Sequence, residues 1–154
     1  MQVYRMGEGR HPLWDGTGAA MVGGRWNSPG RAVIYGSLSY ACCMLELLAH
    51  ANIGRVPGGH RFVSADVPEH LPVVRFDDAA LPQGWDSEGL SIARAFGDQW
   101  LREGRSAVML VPSVVARLEW NVVINPAHAD AQHIRVSDTR PVVWDQRLFT
   151  RLAG

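Results

Sequence analysis

Short apolar runs, separated by turns rich in glycine and proline, make up most of this chain, and only two segments repeat apolar residues at helical spacing. These segments, residues 40–50 and 88–103, are predicted to be helices. β-Branched and aromatic residues predict strands at residues 2–6, 32–35, 61–67, 72–76, 107–111 and 119–124, with edge strands at 134–136 and 142–144. Because strands and helices do not alternate steadily, the sequence predicts an α+β fold with mixed sheets and a few helices.

Local signals predict where the two helices begin and end. Ser37 and Ser39 offer side-chain oxygens that can cap the first helix, and Ser87 can cap the second. Gly104 is expected to end the second helix, because glycine suits the residue that follows a helix. The glycine-containing stretch of residues 7–24 is predicted to be mostly irregular.

Length and composition limit the class of protein. A chain of 154 residues with 47% hydrophobic content is expected to form one domain, residues 1–154. The apolar runs are far shorter than the roughly 20 residues that cross a bilayer. The N-terminus lacks a basic segment followed by an apolar one. We therefore expect a cytoplasmic protein with neither a membrane segment nor a secretion signal.

Charge and residue types argue against several kinds of chemistry. The formal net charge is zero, which disfavours direct nucleic-acid binding. All 15 basic residues are arginine, so no lysine is present for Schiff-base chemistry. No Gly-x-Gly-x-x-Gly pattern follows a predicted strand, and the histidines lack metal-ligand spacing. Neither the common dinucleotide-binding fold nor a metal site is expected, and the adjacent Cys42 and Cys43 are predicted to be reduced core residues.

The segment GGRWNSPG at residues 23–30 is the densest group of residues suited to a ligand. Its glycines allow the backbone to approach a ligand, while Arg25, Asn27 and Ser28 supply hydrogen-bond donors. The pattern is typical of a cradle for phosphate or ribose. The alternative is an ordinary surface loop in which Trp26 packs and Arg25 is solvated.

Four further polar residues each allow two interpretations. Tyr35 ends an apolar strand, so it is either a half-buried structural residue or one whose hydroxyl reaches a cleft. Glu46 stands among leucines and lies either on the solvent face of its helix or in a cleft. Ser113 and Asn125 follow strands and are either turn residues or ligand contacts.

Several segments in order along the chain resemble the RES family, which is named for an Arg, a Glu and a Ser. They are VYR at residues 3–5, GRWN at 24–27, VIY at 33–35, LELLAH at 45–50, VPS at 111–113, EWNVVINPAH at 119–128 and WDQRL at 144–148. Each segment alone is weak evidence, but their order and spacing together are specific.

The resemblance implies a fold similar to the diphtheria-toxin-like ADP-ribosyltransferases and a bacterial toxin that breaks the nicotinamide–ribose bond of NAD. The three residues of the family name correspond to Arg25, Glu46 and Ser113, and Tyr35 takes the aromatic position beside the nicotinamide. NAD is then the substrate and no metal is required. The expected partner is an antitoxin with an Xre-like helix-turn-helix that occludes the active site and supplies any DNA binding.

This chemistry suits the residue types. The bond breaks through an oxocarbenium-like centre, which the Glu46 carboxylate is expected to stabilise. Arg25 is predicted to bind pyrophosphate or ribose, and Tyr35 is predicted to stack on the nicotinamide. Asn27 and Ser113 are expected to donate hydrogen bonds to the substrate, and Arg5 is a further candidate for the phosphates.

Three functions remain open from the sequence. The first is NAD depletion, with water or phosphate accepting the ADP-ribose. The second is mono-ADP-ribosylation of a host protein by the same residues. The third belongs to a different class, a non-catalytic module whose cleft binds a nucleotide or a partner peptide.

Overall fold

The computed structural model describes residues 1–51 and 58–149. Within those residues, eight strands and three α-helices follow one another along the chain. In chain order they are β1 (Gln2–Glu8), α1 (Thr17–Val22), β2 (Ile34–Ser37), α2 (Tyr40–Ala51), β3 (His60–Asp66), β4 (Val73–Arg75), α3 (Ser91–Glu103), β5 (Val108–Pro112), β6 (Trp120–Ile124), β7 (Arg135–Val136) and β8 (Arg140–Pro141). Short 3₁₀ turns occupy Asp78–Ala80, Ala129–His133 and Gln146–Leu148.

The strands form one mixed sheet in the order β4-β5-β6-β2-β1-β3-β7, and β8 also pairs with β3. Strands β4 and β5 are parallel, and the other pairs are antiparallel. The predicted α+β class with mixed strands and few helices is confirmed. The central position of β2 matters most for the site, because its register places Tyr35 opposite Val123 and Ser37 opposite Asn121.

Each face of the sheet carries its own apolar core. Alternate residues of the central strands point to opposite faces, so Ile34, Val122 and Ile124 pack on one side with Val3. The other side holds the tryptophan-rich core of Trp26, Val33, Leu81, Trp85, Ala93, Trp100, Met109, Val111 and Val123. Tyr35 packs against this second core. The same alternation directs Ser37, Asn121 and Ser113 to the tryptophan-rich face, where the candidate site lies.

The helix ends follow some of the sequence signals and not others. Ser39 caps α2, since its hydroxyl oxygen accepts the backbone N–H of Cys42 at 3.0 Å. Gly104 ends α3 in the left-handed conformation at φ 59°, as predicted. The prediction for Ser87 was wrong, because α3 begins at Ser91 and the Ser87 hydroxyl lies 2.8 Å from the carbonyl oxygens of Gly84 and Gly89.

One other local prediction fails and one is incomplete. Residues 7–24 are mostly irregular, as predicted, but they contain α1, none of whose residues is fully buried; Met21 and Val22 are 74% and 72% exposed. Because only a small residue of this short helix, Ala19, packs half-buried against the tryptophan-rich core, its sequence carries little periodic signal. Residues 142–144 form no strand, and the pairing with β3 is made instead by Arg140–Pro141.

Two further features concern the described part of the chain. Cys42 and Cys43 are buried and not disulfide-bonded, as predicted. In residues 1–51 and 58–149, no helix combines the length and the apolar character needed to cross a bilayer.

Candidate active site

Glu46 lies on the side of α2 that faces the sheet. It follows the buried Cys42 by four residues, which is about one helical turn, whereas its neighbour Leu45 is 46% exposed. The Glu46 side chain is half-buried, and its Oε1 accepts hydrogen bonds from Ser113 Oγ at 2.7 Å and Asn121 Nδ2 at 2.6 Å. No described hydrogen bond uses Oε2. Within the described residues, the carboxylate is therefore held through Oε1.

Ser113 is completely buried at the end of β5. Its hydroxyl donates to Glu46 and accepts the backbone N–H groups of Val115 at 3.1 Å and Ala116 at 2.9 Å. The hydroxyl proton and both lone pairs are thus in use within the protein. The side chain links Glu46 to the loop that joins β5 and β6.

Asn121 is a site residue to which the sequence analysis gave no role. Besides its bond to Glu46, its Oδ1 accepts the hydroxyl of Ser37 at 2.8 Å. The residue lies within the EWNVVINPAH segment, but no local pattern distinguishes it from Asn125, which is nearby in that segment. The pairing of β2 with β6 is what brings Ser37, Asn121 and Glu46 together.

The loop from Gly23 to Gly30 is attached to Tyr35. The Tyr35 hydroxyl donates to Asn27 Oδ1 at 2.6 Å and accepts the backbone N–H of Trp26 at 3.0 Å. Gly24 lies so close to the Tyr35 ring that a Cβ there would come within 2.6 Å of the hydroxyl oxygen. Burial raises the pKa of Tyr35 well above its ordinary value, so the phenol stays protonated at physiological pH.

Asn27, predicted to bind substrate, is completely buried inside this loop. Its Nδ2 donates to the carbonyl oxygens of Ala19 at 2.8 Å and Arg31 at 2.7 Å, while its Oδ1 accepts from Tyr35. The amide thus makes its described hydrogen bonds to protein groups. Its observed role is to fix the shape of the loop around Tyr35.

Helix α3 holds the other side of the loop. Asp98 accepts the backbone N–H of Ser28 at 3.0 Å and its hydroxyl at 2.6 Å, and Arg94 Nε donates to the Gly24 carbonyl at 2.8 Å. The Trp26 and Trp85 rings stack with centroids 5.8 Å apart. The segment predicted to be a cradle for phosphate or ribose, with an ordinary surface loop as the alternative, is therefore packed between the sheet and a helix.

Arg25 extends from this loop and is half-buried. Its Nη1 donates to the carbonyl oxygens of Trp85 at 2.9 Å and Ser87 at 3.0 Å. No described acidic residue forms a salt bridge with it. The guanidinium is consequently oriented by neutral carbonyls while its positive charge remains without an ion-pair partner, an arrangement suited to binding an anionic ligand.

Arg5 lies in β1 next to this region. Its Nη1 donates to the Tyr35 carbonyl at 2.8 Å, and its Nε donates to the Leu13 carbonyl. Burial lowers the pKa of Arg5 from its ordinary value. These contacts join the first strand to β2 directly behind Tyr35.

The structure thus brings the predicted residues into two groups on the tryptophan-rich face. Glu46 and Ser113 form one group with Asn121, and Tyr35 and Asn27 form the other with the Arg25 loop. No described hydrogen bond or salt bridge joins Arg25 to Glu46. Among residues 1–51 and 58–149, no three or more His, Cys, Asp or Glu side chains are grouped to hold a metal ion.

A cavity of about 680 Å³ lies beside the turn that holds Trp85 and Asp86, and Arg75, Arg117 and Trp120 also line it. None of the residues of the two groups lines it; Trp120 packs on the opposite face of the sheet from Asn121. This volume is in the range of pockets that hold small molecules, roughly 300–1,000 Å³.

The protein is thus an α+β domain that carries a carboxylate and an arginine-bearing loop on the same face of a mixed sheet. Comparison with known proteins identifies its family. Residues 2–145 match the RES domain family. The chain belongs to that family, as its sequence motifs predicted.

Relatives and a solved structure agree with this assignment. A Sphingobium protein named Prs ADP-ribosylating toxin is 38% identical over 142 residues, which cover 89% of this chain and 87% of that protein. Proteins named Toxin Res from Photorhabdus laumondii and Pseudomonas putida are 31% and 33% identical, covering 84% and 88% of this chain and 85% and 92% of theirs. A chain in the crystal structure of the M. tuberculosis MbcT-MbcA toxin-antitoxin complex shares the fold, with a TM-score of 0.77 at 21% identity over 96% of this chain and 86% of that one.

Proposed function

We propose that this chain is the toxin of a bacterial toxin-antitoxin pair and that it breaks the nicotinamide–ribose bond of NAD. The observation that carries the proposal is the geometry of Glu46, whose carboxylate is held through Oε1 by Ser113 and Asn121, with no described hydrogen bond to Oε2. The toxin names of the relatives support the first part, and the name of the Sphingobium relative supports a reaction that uses ADP-ribose.

The reaction needs a carboxylate beside a developing positive charge. The bond between the ribose C1′ and the nicotinamide nitrogen breaks, and its electron pair leaves with the nicotinamide, which becomes neutral. The positive charge then resides on the ribose, where the Glu46 carboxylate stabilises it and binds a ribose hydroxyl through Oε2. An acceptor oxygen attacks C1′ and releases its proton to solvent. Because the leaving group is neutral, the first step needs no strong general acid.

The remaining residues bind and position. Arg25 pairs with an NAD phosphate or holds the ribose, since neutral carbonyls orient its guanidinium and no salt bridge to it is found among residues 1–51 and 58–149. Tyr35 acts through its ring, because its hydroxyl is already bound to Asn27 and Trp26. Ser113 and Asn27 were predicted to bind substrate. Their buried contacts favour a different role, in which Ser113 positions Glu46 and Asn27 positions Tyr35.

Arg5 has a similar supporting role in this proposal. Two of its donors already bind backbone carbonyls, one of them that of Tyr35. A direct bond to an NAD phosphate would use the remaining guanidinium nitrogen. We therefore assign Arg5 first to the positioning of β2 and second to the phosphates.

The acceptor separates two candidate activities. Water or phosphate as acceptor would deplete NAD, whereas a protein acceptor would make the enzyme a mono-ADP-ribosyltransferase. The name of the Sphingobium relative, Prs ADP-ribosylating toxin, supports a protein acceptor as the second candidate. The residues around Glu46 serve both reactions, because both begin with the same bond cleavage.

One experiment tests the cleavage and separates the acceptors. The purified protein is incubated with NAD, with and without phosphate, and with and without proteins from a bacterial extract, and the products are identified by mass spectrometry. Nicotinamide with free ADP-ribose indicates water as acceptor, the phosphorylated product indicates phosphate, and labelled protein indicates transfer. NAD that is retained unchanged under all conditions would refute the proposed enzyme and favour a binding module.

The proposed partner is an Xre-like antitoxin that occludes the site while the complex resides in the cytoplasm. A carboxylate or backbone carbonyls of the partner would bind Arg25 in place of an NAD phosphate. Inhibition should then compete with NAD. Inhibition that stays complete at saturating NAD, with the partner still bound, would instead indicate an allosteric mechanism.

A further inference from the structure

The side chains around Glu46 form a hydrogen-bonded network that connects three separate elements. Ser113 reaches Glu46 from the end of β5, Asn121 reaches it from β6, and Ser37 of β2 binds Asn121 from behind. Both direct donors bind the same carboxylate oxygen, Oε1, at 2.7 and 2.6 Å.

The orientation of the Asn121 amide follows from the chemistry of its neighbours. An ionised carboxylate only accepts hydrogen bonds, so the side of the amide that faces Glu46 must be the NH₂ group. The amide oxygen then faces Ser37, whose hydroxyl donates to it at 2.8 Å, and the Cys42 thiol approaches the same oxygen at 3.8 Å. The carboxylate thus selects the orientation of the amide, and the hydrogen bond from Ser37 adds to the stability of that orientation.

We infer that Asn121 is a positioning residue that fixes Glu46 for catalysis, with Ser37 holding the Asn121 amide in its working orientation. Asn121 acts through Glu46 and is not assigned a contact with NAD. By binding Oε1 it directs Oε2 toward the substrate and prevents the carboxylate from rotating. This inference rests on the proposed NAD cleavage, and it concerns two residues outside the Arg, Glu and Ser of the family name.

A substitution that keeps the shape of the side chain gives a sharp test. In Asn121→Asp, the new carboxyl group faces Glu46 where the NH₂ group donated. Two carboxylates at this distance share one proton, because both cannot remain ionised so close together. When that proton is on the carboxyl group at position 121, its O–H donates to Glu46 Oε1 and its other oxygen still accepts from Ser37. These are the same bonds that asparagine makes.

The other titratable groups near Glu46, including His50 one helical turn further along α2, are the same in the parent and in Asn121→Asp. The Cys42 and Cys43 thiols lie on the same helix, and burial raises the pKa of both, that of Cys43 to about 12. They remain protonated at neutral and mildly alkaline pH. Arg5 faces Cys43 and Glu119 faces Cys42, and both charges are the same in the parent and in the variant.

In Asn121→Asp, we expect kcat to decrease as pH rises, and this decrease should be absent from the pH profile of the parent. The variant's kcat for NAD should approach the parent value at low pH, where the shared proton is present, and fall about ten- to a hundredfold as that proton is lost. KM should change little. Asn121→Ala should lower kcat by a similar factor at every pH, and Ser37→Ala should lower it less, because the amide can still bind Glu46 in one of its two orientations.

Asn125→Asp is the matched control. Asn125 lies in the same segment and its Oδ1 accepts the backbone N–H of Ala127 at 3.1 Å, a bond that aspartate retains. The kcat of this variant should follow the same pH profile as that of the parent. If the parent cleaves NAD and Asn121→Asp has the parent's pH profile, the positioning role of Asn121 is overturned.

A measurement that needs no activity distinguishes this inference from the proposed function. The shared proton stabilises folded Asn121→Asp at low pH and is lost as pH rises, so its Tm should fall increasingly below that of the parent above about pH 4. A gap that is constant with pH would contradict the pairing of residues 46 and 121. A parent that does not consume NAD refutes the proposed function and the catalytic role of Asn121 together, while a widening gap would still support the pairing.

Discussion

The two halves of the candidate site are held in different ways. Around Glu46, side chains bind side chains, and the donors of Ser113 and Asn121 meet at one carboxylate oxygen. Around Arg25, the described hydrogen bonds of the guanidinium go to the backbone carbonyls of Trp85 and Ser87.

This difference indicates that the two halves have different functions. The carboxylate half is oriented in advance, which suits a group that must face a transient charge without rearranging. The arginine half is oriented by neutral carbonyls, and no described salt bridge involves its charge, which suits a group that binds an anion when substrate arrives. Variants in the first half should therefore lower kcat with little change in KM, whereas variants in the second half should weaken NAD binding as well as turnover.

The largest effect is expected from Glu46→Gln. The amide keeps the size of the side chain but removes the charge that faces the oxocarbenium, so NAD cleavage should fall more than about a hundredfold, or roughly 3 kcal/mol of transition-state stabilisation. The measurement is kcat at saturating NAD, with circular dichroism as a check on folding. Glu69→Gln, at an exposed turn, is the control. A folded Glu46→Gln with the parent rate would remove Glu46 from the mechanism.

Arg25→Ala should have the next largest effect and should act on both constants. Loss of a charge-assisted contact to NAD is expected to raise KM and lower kcat, reducing kcat/KM roughly ten- to a hundredfold. Arg10→Ala is the control, because Arg10 is exposed and its described salt bridge is to Glu8. Unchanged NAD affinity in Arg25→Ala, measured by calorimetry with the inactive Glu46→Gln background, would contradict the division between the two halves.

Ser113→Ala tests whether the serine acts through Glu46. The change removes one donor to Oε1 and leaves the N–H groups of Val115 and Ala116 without their acceptor. We expect kcat to fall roughly tenfold with KM near the parent value, and the free energy of unfolding to fall by about 1–3 kcal/mol. Ser137→Ala also removes an acceptor of a backbone N–H, that of Ser64, and should reduce stability without reducing kcat. A large rise in KM for Ser113→Ala would favour direct substrate binding.

Tyr35→Phe should affect stability more than activity. The phenylalanine ring can still stack on nicotinamide, but Asn27 Oδ1 and the Trp26 N–H lose their partner, which should lower the free energy of unfolding by about 1–3 kcal/mol. Tyr35→Ala should reduce NAD cleavage more strongly. Equal losses of activity in the two variants would show that Tyr35 contributes to NAD cleavage through its hydroxyl and not through its ring.

The smallest effect at neutral pH is expected from Cys43→Ala. Burial raises the pKa of Cys43 from 9.0 to about 12, so the unfolded chain loses this proton first as pH rises. The folded state is therefore destabilised progressively between about pH 9 and 12, by about 1.4 kcal/mol per pH unit for one proton. Urea unfolding of Cys43→Ala over this range should show a shallower decline than the parent. An identical decline would indicate that Cys43 is more accessible than the packing of α2 implies.

Much of the fold could be predicted from the sequence because its signals are local. The two longer helices and the central strands follow from apolar periodicity, and the ends at Ser39 and Gly104 follow from side-chain and backbone capping. The errors fell where such signals are absent or misleading. Helix α1 buries no residue, and the Ser87 hydroxyl found partners within its own turn.

The sequence by itself determined the α+β class, the family and the candidates Arg25, Tyr35, Glu46 and Ser113, since each stands at a strand end, a glycine-rich loop or an interruption in an apolar helix. Only the tertiary structure decided how they are arranged. The bonds of Glu46 to Ser113 and Asn121 span 67 and 75 residues, and that of Ser37 to Asn121 spans 84. Contacts at such separations depend on strand order and register, which no local pattern specifies. The role of Asn121 therefore follows from the pairing of β2 with β6 and not from its local sequence.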